Sequence, residues 1–178
     1  MVAFIERVIG GPAYVAGHSG GAIVALLVAL RRPDLVERVV LISGVFHRDG
    51  WIPHVIDPER ELHEAIARGY AELSPDGAEH FSIVAQKLKR MDFEQPTLRA
   101  DDLGPVASRT LVMVADDDEV TLEHSMEMYS NLPNAEPAII PGTSHGLLHE
   151  KPSLCNEVIV EFLTTDPTPT IAPALRAS

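Results

Sequence analysis

Ser19 sits at the centre of Gly17-His18-Ser19-Gly20-Gly21, a Gly-x-Ser-x-Gly pattern that makes it a candidate nucleophile. A serine of this kind occupies a strained turn between a strand and a helix, and the glycines two positions either side leave room for close approach. Its hydroxyl then stands above a sheet at the amino end of a helix, whose free N–H groups favour a developing anion. Gly20 would supply one such oxyanion donor. Near neutral pH a serine hydroxyl is a poor nucleophile, so it needs a base within hydrogen-bond reach and an acid that holds the base in the right tautomer.

Eight histidines compete for the role of base. His145 follows an apolar run ending at Ile140, in the loop Pro141-Gly142-Thr143-Ser144-His145, at the carboxyl edge where open α/β sheets place their sites. His18 adjoins the nucleophile, but neighbours in such a turn point apart, so it is expected to shape the substrate pocket. His149 lies four residues beyond His145, a metal-binding spacing on a helix, yet no His-Glu-x-x-His arrangement accompanies it and no metal site is expected. His47 could face the pocket, while His54, His63, His80 and His124 read as surface or lid residues. For the acid, Asp116, Asp117 and Asp118 follow directly on the strand-like TLVMVA, with Glu119 extending the run; Asp49 is a further candidate.

The elements that must position these groups follow from hydrophobic patterning. Residues 13–16, 39–43, 110–115 and 137–140 are short, nearly all-apolar strands, and helical spacing marks residues 2–9, 22–32, 121–131 and 153–163. Buried strands alternating with helices argue for an α/β fold with a parallel sheet of about four strands covered on both faces. Residues 46–104 differ, with two expected helices at about 59–73 and 75–91 and no strand signal, and read as a helical lid insertion. Phe46, Trp51, Phe81 and Met91 would line an apolar acyl pocket there. The domain would span residues 1–163, and residues 164–178, rich in Thr, Pro and Ala, would form a disordered tail.

The stretch AYVAGHSGGAIVALLVALRRPDLVERVVLISG resembles the nucleophile turn, following helix and next strand of the α/β-hydrolase family. LVMVADDDEVTLEHSMEMYSNLPNAEPAIIPGTSHGLLHEKP is similar to that family's acid and histidine segments. The resemblance implies that Asp118, three positions after a small residue at the strand end (Ala115), is the acid, and that His145 is the base. The order Ser19, Asp118, His145 is then the family's own. It implies hydrolysis of a carboxylic ester or related acyl compound, without a metal or organic cofactor. It also implies that strands usual in the family, and the His-Gly loop carrying a second oxyanion donor, are missing before Met1. One such donor is worth about 10²–10³ in rate, so activity should be weak. A catalytically silent remnant or a small-ligand-binding module is the other reading. The strand at 13–16 would then be an open edge, available to a second copy of the chain.

Composition excludes other classes. A net charge of -12 repels nucleic-acid backbones and anionic lipid surfaces, and no apolar run approaches the ~20 residues of a membrane span. Cys155 is the only cysteine, so no internal disulfide can form. With no basic-then-apolar leader at the start, a cytoplasmic location is expected.

Overall fold

In the computed structural model, which describes residues 1–57, 59–62, 64–167 and 171–172, four parallel strands form one sheet in the order β1-β2-β3-β4. They are β1 (Ala13–His18), β2 (Val36–Ile42), β3 (Arg109–Asp117) and β4 (Ala135–Ser144). The expected strands are all present, each longer by two to six residues. The two-residue alternation of a strand explains how the sheet is covered. Val39, Leu41 and Val112 point to one face, into a cluster with Ala22, Ala25, Leu26 and Ala29 of α2 (Gly20–Arg31) and Met128 and Leu132 beside α5 (Leu122–Asn131). Val40, Ile42, Leu111 and Met113 point to the other, against Leu147 of α6 (Leu147–Glu150) and Cys155 and Phe162 of α7 (Pro152–Thr164). Both faces being covered, β2 and β3 are apolar along nearly their whole length.

Ala22, Ala25 and Ala29 of α2 are buried against the sheet in the first of these clusters. Across the sheet, Arg38 and Arg109 each donate to the carbonyl of Thr165 at 2.7 Å, satisfying backbone acceptors left over at the end of α7. Strand β1 pairs with β2 alone among the described residues and lies at the edge, with Tyr14 half exposed.

Three expectations are corrected. Residues 2–9 are not one amphipathic helix: α1 (Val2–Phe4) passes into a wider π-type turn over Ile5–Ile9, of which only Ile5 is buried. In the helical segment, α3 (Glu64–Leu73) begins later than expected, because Asp57 holds a turn by accepting from the N–H groups of Glu59 and Arg60. The second helix, α4 (Phe81–Glu94), also starts late, after a turn in which Ser74 accepts from Asp76 N–H and Gly77 takes a φ of +82°. Helix α7 runs one residue further at each end than the expected 153–163. Residues 168–170 and 173–178 of the expected tail, and His63, lie outside the described residues. No described helix is long and apolar enough to cross a membrane.

Candidate active site

The turn at the end of β1 is as tight as the pattern requires. Ser19 has φ 56° and ψ −123°, a backbone conformation that L-residues rarely adopt, and its N–H donates to the carbonyl of Ile42 at 2.8 Å. A side chain on Gly17 would stand 2.1 Å from the carbonyl oxygen of Gly21, so the first glycine of the pattern is obligatory. The second is not: a Cβ on Gly21 would meet nothing within 4 Å. Gly20 opens α2, where backbone N–H groups have no partner inside the helix, and the methyl end of Met91 comes within 3.7 Å of where a Cβ on Gly20 would be.

The acidic run resolves residue by residue. Asp118 has a fully buried side chain, and its Oδ1 lies 2.7 Å from His145 Nδ1. Its other oxygen accepts from Ser43 Oγ at 2.5 Å and from Ala115 N–H at 3.0 Å, and Val120 N–H donates to Oδ1 at 3.2 Å. Burial alone would raise the pKa of this carboxyl, but the imidazole, the hydroxyl and the N–H groups outweigh it and hold the group below the usual carboxylate value. Asp116 turns instead to the histidine loop, accepting from Thr143 N–H at 3.0 Å, and the backbone N–H groups of Gly142 first and then Thr143 lower its pKa. Asp117 is exposed, in register with Ser144. Asp49 is exposed and engaged by its neighbours His47 and Arg48, and no described contact joins it to His145.

His145 is held on several sides. His18 Nε2 donates to its carbonyl oxygen at 2.9 Å, the two rings standing 4.8 Å apart, and Trp51 presents an edge to the imidazole at 6.0 Å. Burial first, then the proximity of His145, lowers the pKa of His18, which favours its neutral form. At the end of α6, Glu150 accepts from both the N–H and the hydroxyl of Ser144 at 2.7 Å. With a carboxylate on Nδ1, the proton resides there and Nε2 is left bare, the tautomer that can accept a proton.

Ser19 and His145 line one cavity of about 440 Å³ with His18, His54, Arg60, Glu61, Leu62, Ile66 and Glu119. Among the described residues the Ser19 hydroxyl makes no hydrogen bond. The structure therefore brings Ser19, His145 and Asp118 to one place, whereas none of the four expected pocket residues Phe46, Trp51, Phe81 and Met91 lines that cavity. Phe46 is buried in the main core, stacked on His124 at 4.1 Å, and Phe81 packs on Tyr70 at 5.5 Å. Trp51 touches the histidine rather than the cavity wall, and Met91 lies over the nucleophile turn. His47 lines a separate surface cleft beside Phe46 and His124. No group of three or more His, Cys, Asp or Glu side chains among the described residues is arranged to hold a metal ion. Ser43, Arg60, Glu61 and Glu119 are among the site residues that sequence reasoning left without a role.

A model of the alpha/beta hydrolase family matches residues 1–158. The chain belongs to that family. Among curated proteins it is 26% identical over 174 residues to one named as a carbamate hydrolase, RutD, of Caulobacter vibrioides, covering 85% of this chain and 65% of that protein. It is 22% identical over 179 residues to the (E)-2-((N-methylformamido)methylene)succinate hydrolase of Acinetobacter baylyi, covering 88% of this chain and 67% of that protein. The enol-lactonase of Burkholderia xenovorans LB400 superposes with a TM-score of 0.64 at 18% identity, covering 92% of this chain and 70% of that one, which shows a shared fold. The chain thus spans about two thirds of the length of the relatives it matches.

Proposed function

We propose that this α/β-hydrolase family member cleaves a carboxylic ester or related acyl compound through an acyl-enzyme on Ser19. The observation that carries this reading is the 2.7 Å contact between His145 Nδ1 and a buried, otherwise fully bonded Asp118, made where His145 and a strained Ser19 share one cavity. Ser19 Oγ attacks the acyl carbon as its proton passes to His145 Nε2; the oxyanion faces the N–H of Gly20. The imidazolium, stabilised by Asp118, then protonates the leaving group, and water, deprotonated by the same histidine, releases the acid. Nucleophile-to-base contacts are often loose in the free enzyme and tighten with substrate, in keeping with a serine hydroxyl that is unbonded here. Both curated relatives carry the word hydrolase in their names, which supports the reaction class and leaves the substrate open.

Incubation with a fluorophosphonate probe and a short p-nitrophenyl ester tests the assignment. Wild-type chain should be labelled and turn over the ester, and Ser19→Ala should lose labelling and at least about 10³-fold of the turnover. Equal signals from the two proteins would overturn it in favour of a ligand-binding role.

A further inference from the structure

The imidazole of His18 is fixed at one nitrogen and open at the other. Its Nε2 lies 2.9 Å from the carbonyl oxygen of His145, and a carbonyl oxygen only accepts, so Nε2 carries the hydrogen. Burial and the neighbouring His145 both favour the neutral ring, which has a single hydrogen to place. Nδ1 is then a bare lone pair. Among the described residues it has no hydrogen-bond partner, and it is not sealed in either, since Trp51 Nε1 is the one buried side-chain nitrogen or oxygen among them left unpartnered. The ring itself lines the cavity that holds Ser19 and His145.

We infer that His18 Nδ1 accepts a hydrogen bond from the substrate, so that the acyl compound taken here carries a hydroxyl or an N–H close to its carbonyl. The inference rests on the proposed reaction at Ser19, because His18 precedes that serine at the end of β1 and shares its cavity. When substrate displaces water from an acceptor, the lost bond costs free energy unless a substrate donor replaces it. A plain acyl chain leaves Nδ1 unpaired and is disfavoured; a hydroxyl or N–H restores the bond. The bond from Nε2 to the His145 carbonyl keeps the ring from turning, so the acceptor is in place before substrate arrives.

Other groups at the site do not take this role. His145 spends Nδ1 on Asp118 and keeps Nε2 for the serine proton, and the Asp118 carboxylate is fully bonded. His54 and Glu61 are exposed, and Glu119 has Arg60 beside it. These groups keep water or a counter-charge when the cavity fills, whereas the half-buried Nδ1 of His18 does not.

The test compares the p-nitrophenyl esters of 2-hydroxybutyrate, 3-hydroxybutyrate and butyrate by kcat/KM on the full chain. Wild type should prefer at least one hydroxy ester over butyrate about 3- to 10-fold more strongly than His18→Leu does, a comparison that cancels the intrinsic reactivity of the esters. His18→Leu also loses the bond to the His145 carbonyl, so all three esters should turn over more slowly. His18→Asn puts a carboxamide oxygen near the place of Nδ1 and is too short to reach that carbonyl; it should recover part of the preference while staying slow. Circular dichroism confirms that both variants are folded. A His18 that only braces the base would slow the three esters alike, so a preference unchanged by His18→Leu, or none recovered by a folded His18→Asn, overturns the inference. Ser19→Ala removes turnover and leaves the cavity, and ligand-observed NMR on it gives the affinities of the corresponding methyl esters. A hydroxy-ester preference in that background, abolished by His18→Leu, with no ester turned over by wild type, would fault the proposed reaction and keep the acceptor. Turnover of all three esters with no preference in either assay would do the reverse.

Discussion

The two halves of the cavity are built on different principles. The sheet side carries Ser19, His145 and Asp118 on strand ends whose neighbours, among them Val39, Val40 and Ala115, are fully buried. The cover, α3 and α4, contributes Ile66 to the cavity and lays Met91 over the nucleophile turn, yet none of the described residues of either helix is buried. The reacting groups are thus held by packing and by bonds to the Asp118 carboxylate, whereas the acyl-facing wall is laid on from outside. Stability should therefore depend on the sheet side and substrate preference on the cover.

Truncation should separate them most sharply. Met113 is 1% exposed at the middle of β3, between Ile42 and α7, and Met113→Ala leaves a cavity where nothing can collapse easily. The expected loss is about 2–5 kcal/mol in urea unfolding, large beside the stability of a domain this size. A loss below about 1 kcal/mol would mean that the sheet side is no more tightly built than the cover.

The next largest effect is a pH dependence confined to the sheet side. His124, 8% exposed at the start of α5, stacks on Phe46 and accepts from its N–H at 3.2 Å. Burial, and then the neighbouring His47, lower its pKa to about 4, so the folded chain keeps it neutral where the unfolded chain protonates it. The unfolded state binds the extra proton between its own value near 6.5 and the folded value, so stability is whole above about pH 6.5 and falls as pH drops through that window. Between pH 7 and pH 5 the loss should be about 2 kcal/mol, and His124→Gln, which keeps an acceptor for Phe46 N–H and removes the titration, should flatten this part of the pH profile. An unchanged slope in urea unfolding at the two pH values would remove His124 as its source.

The same division governs what could be read from the residues alone. Strands such as TLVMVA are legible because a strand covered on both faces is apolar at every position, and the Gly17 position is legible because a backbone oxygen leaves no space for a side chain. The three adjacent aspartates carry no such signal. Their partners diverge because the β3–β4 register shifts between Ala115 and Asp117, sending one carboxylate to Thr143 and another to His145. The aromatic residues carry no such signal either: Phe46 and Phe81 have the composition of an acyl pocket, but whether a ring meets core, neighbour or ligand depends on tertiary placement. Arg60 and Glu119 were passed over for the opposite reason, since charges in turns ordinarily belong to solvent.

The smallest expected effect is the one that tests the cover. Ile66 lines the cavity while remaining half exposed, so Ile66→Ala removes apolar surface that only a bound acyl chain would cover completely. Unfolding free energy should stay within about 0.5 kcal/mol of wild type. If the pocket takes an acyl chain, KM for a medium-chain p-nitrophenyl ester should rise about threefold to tenfold with kcat nearly unchanged, the pattern of lost uniform binding. A fall in kcat at constant KM would place Ile66 among the groups that act on the transition state, and the cover would then be part of the reacting framework rather than a wall laid upon it.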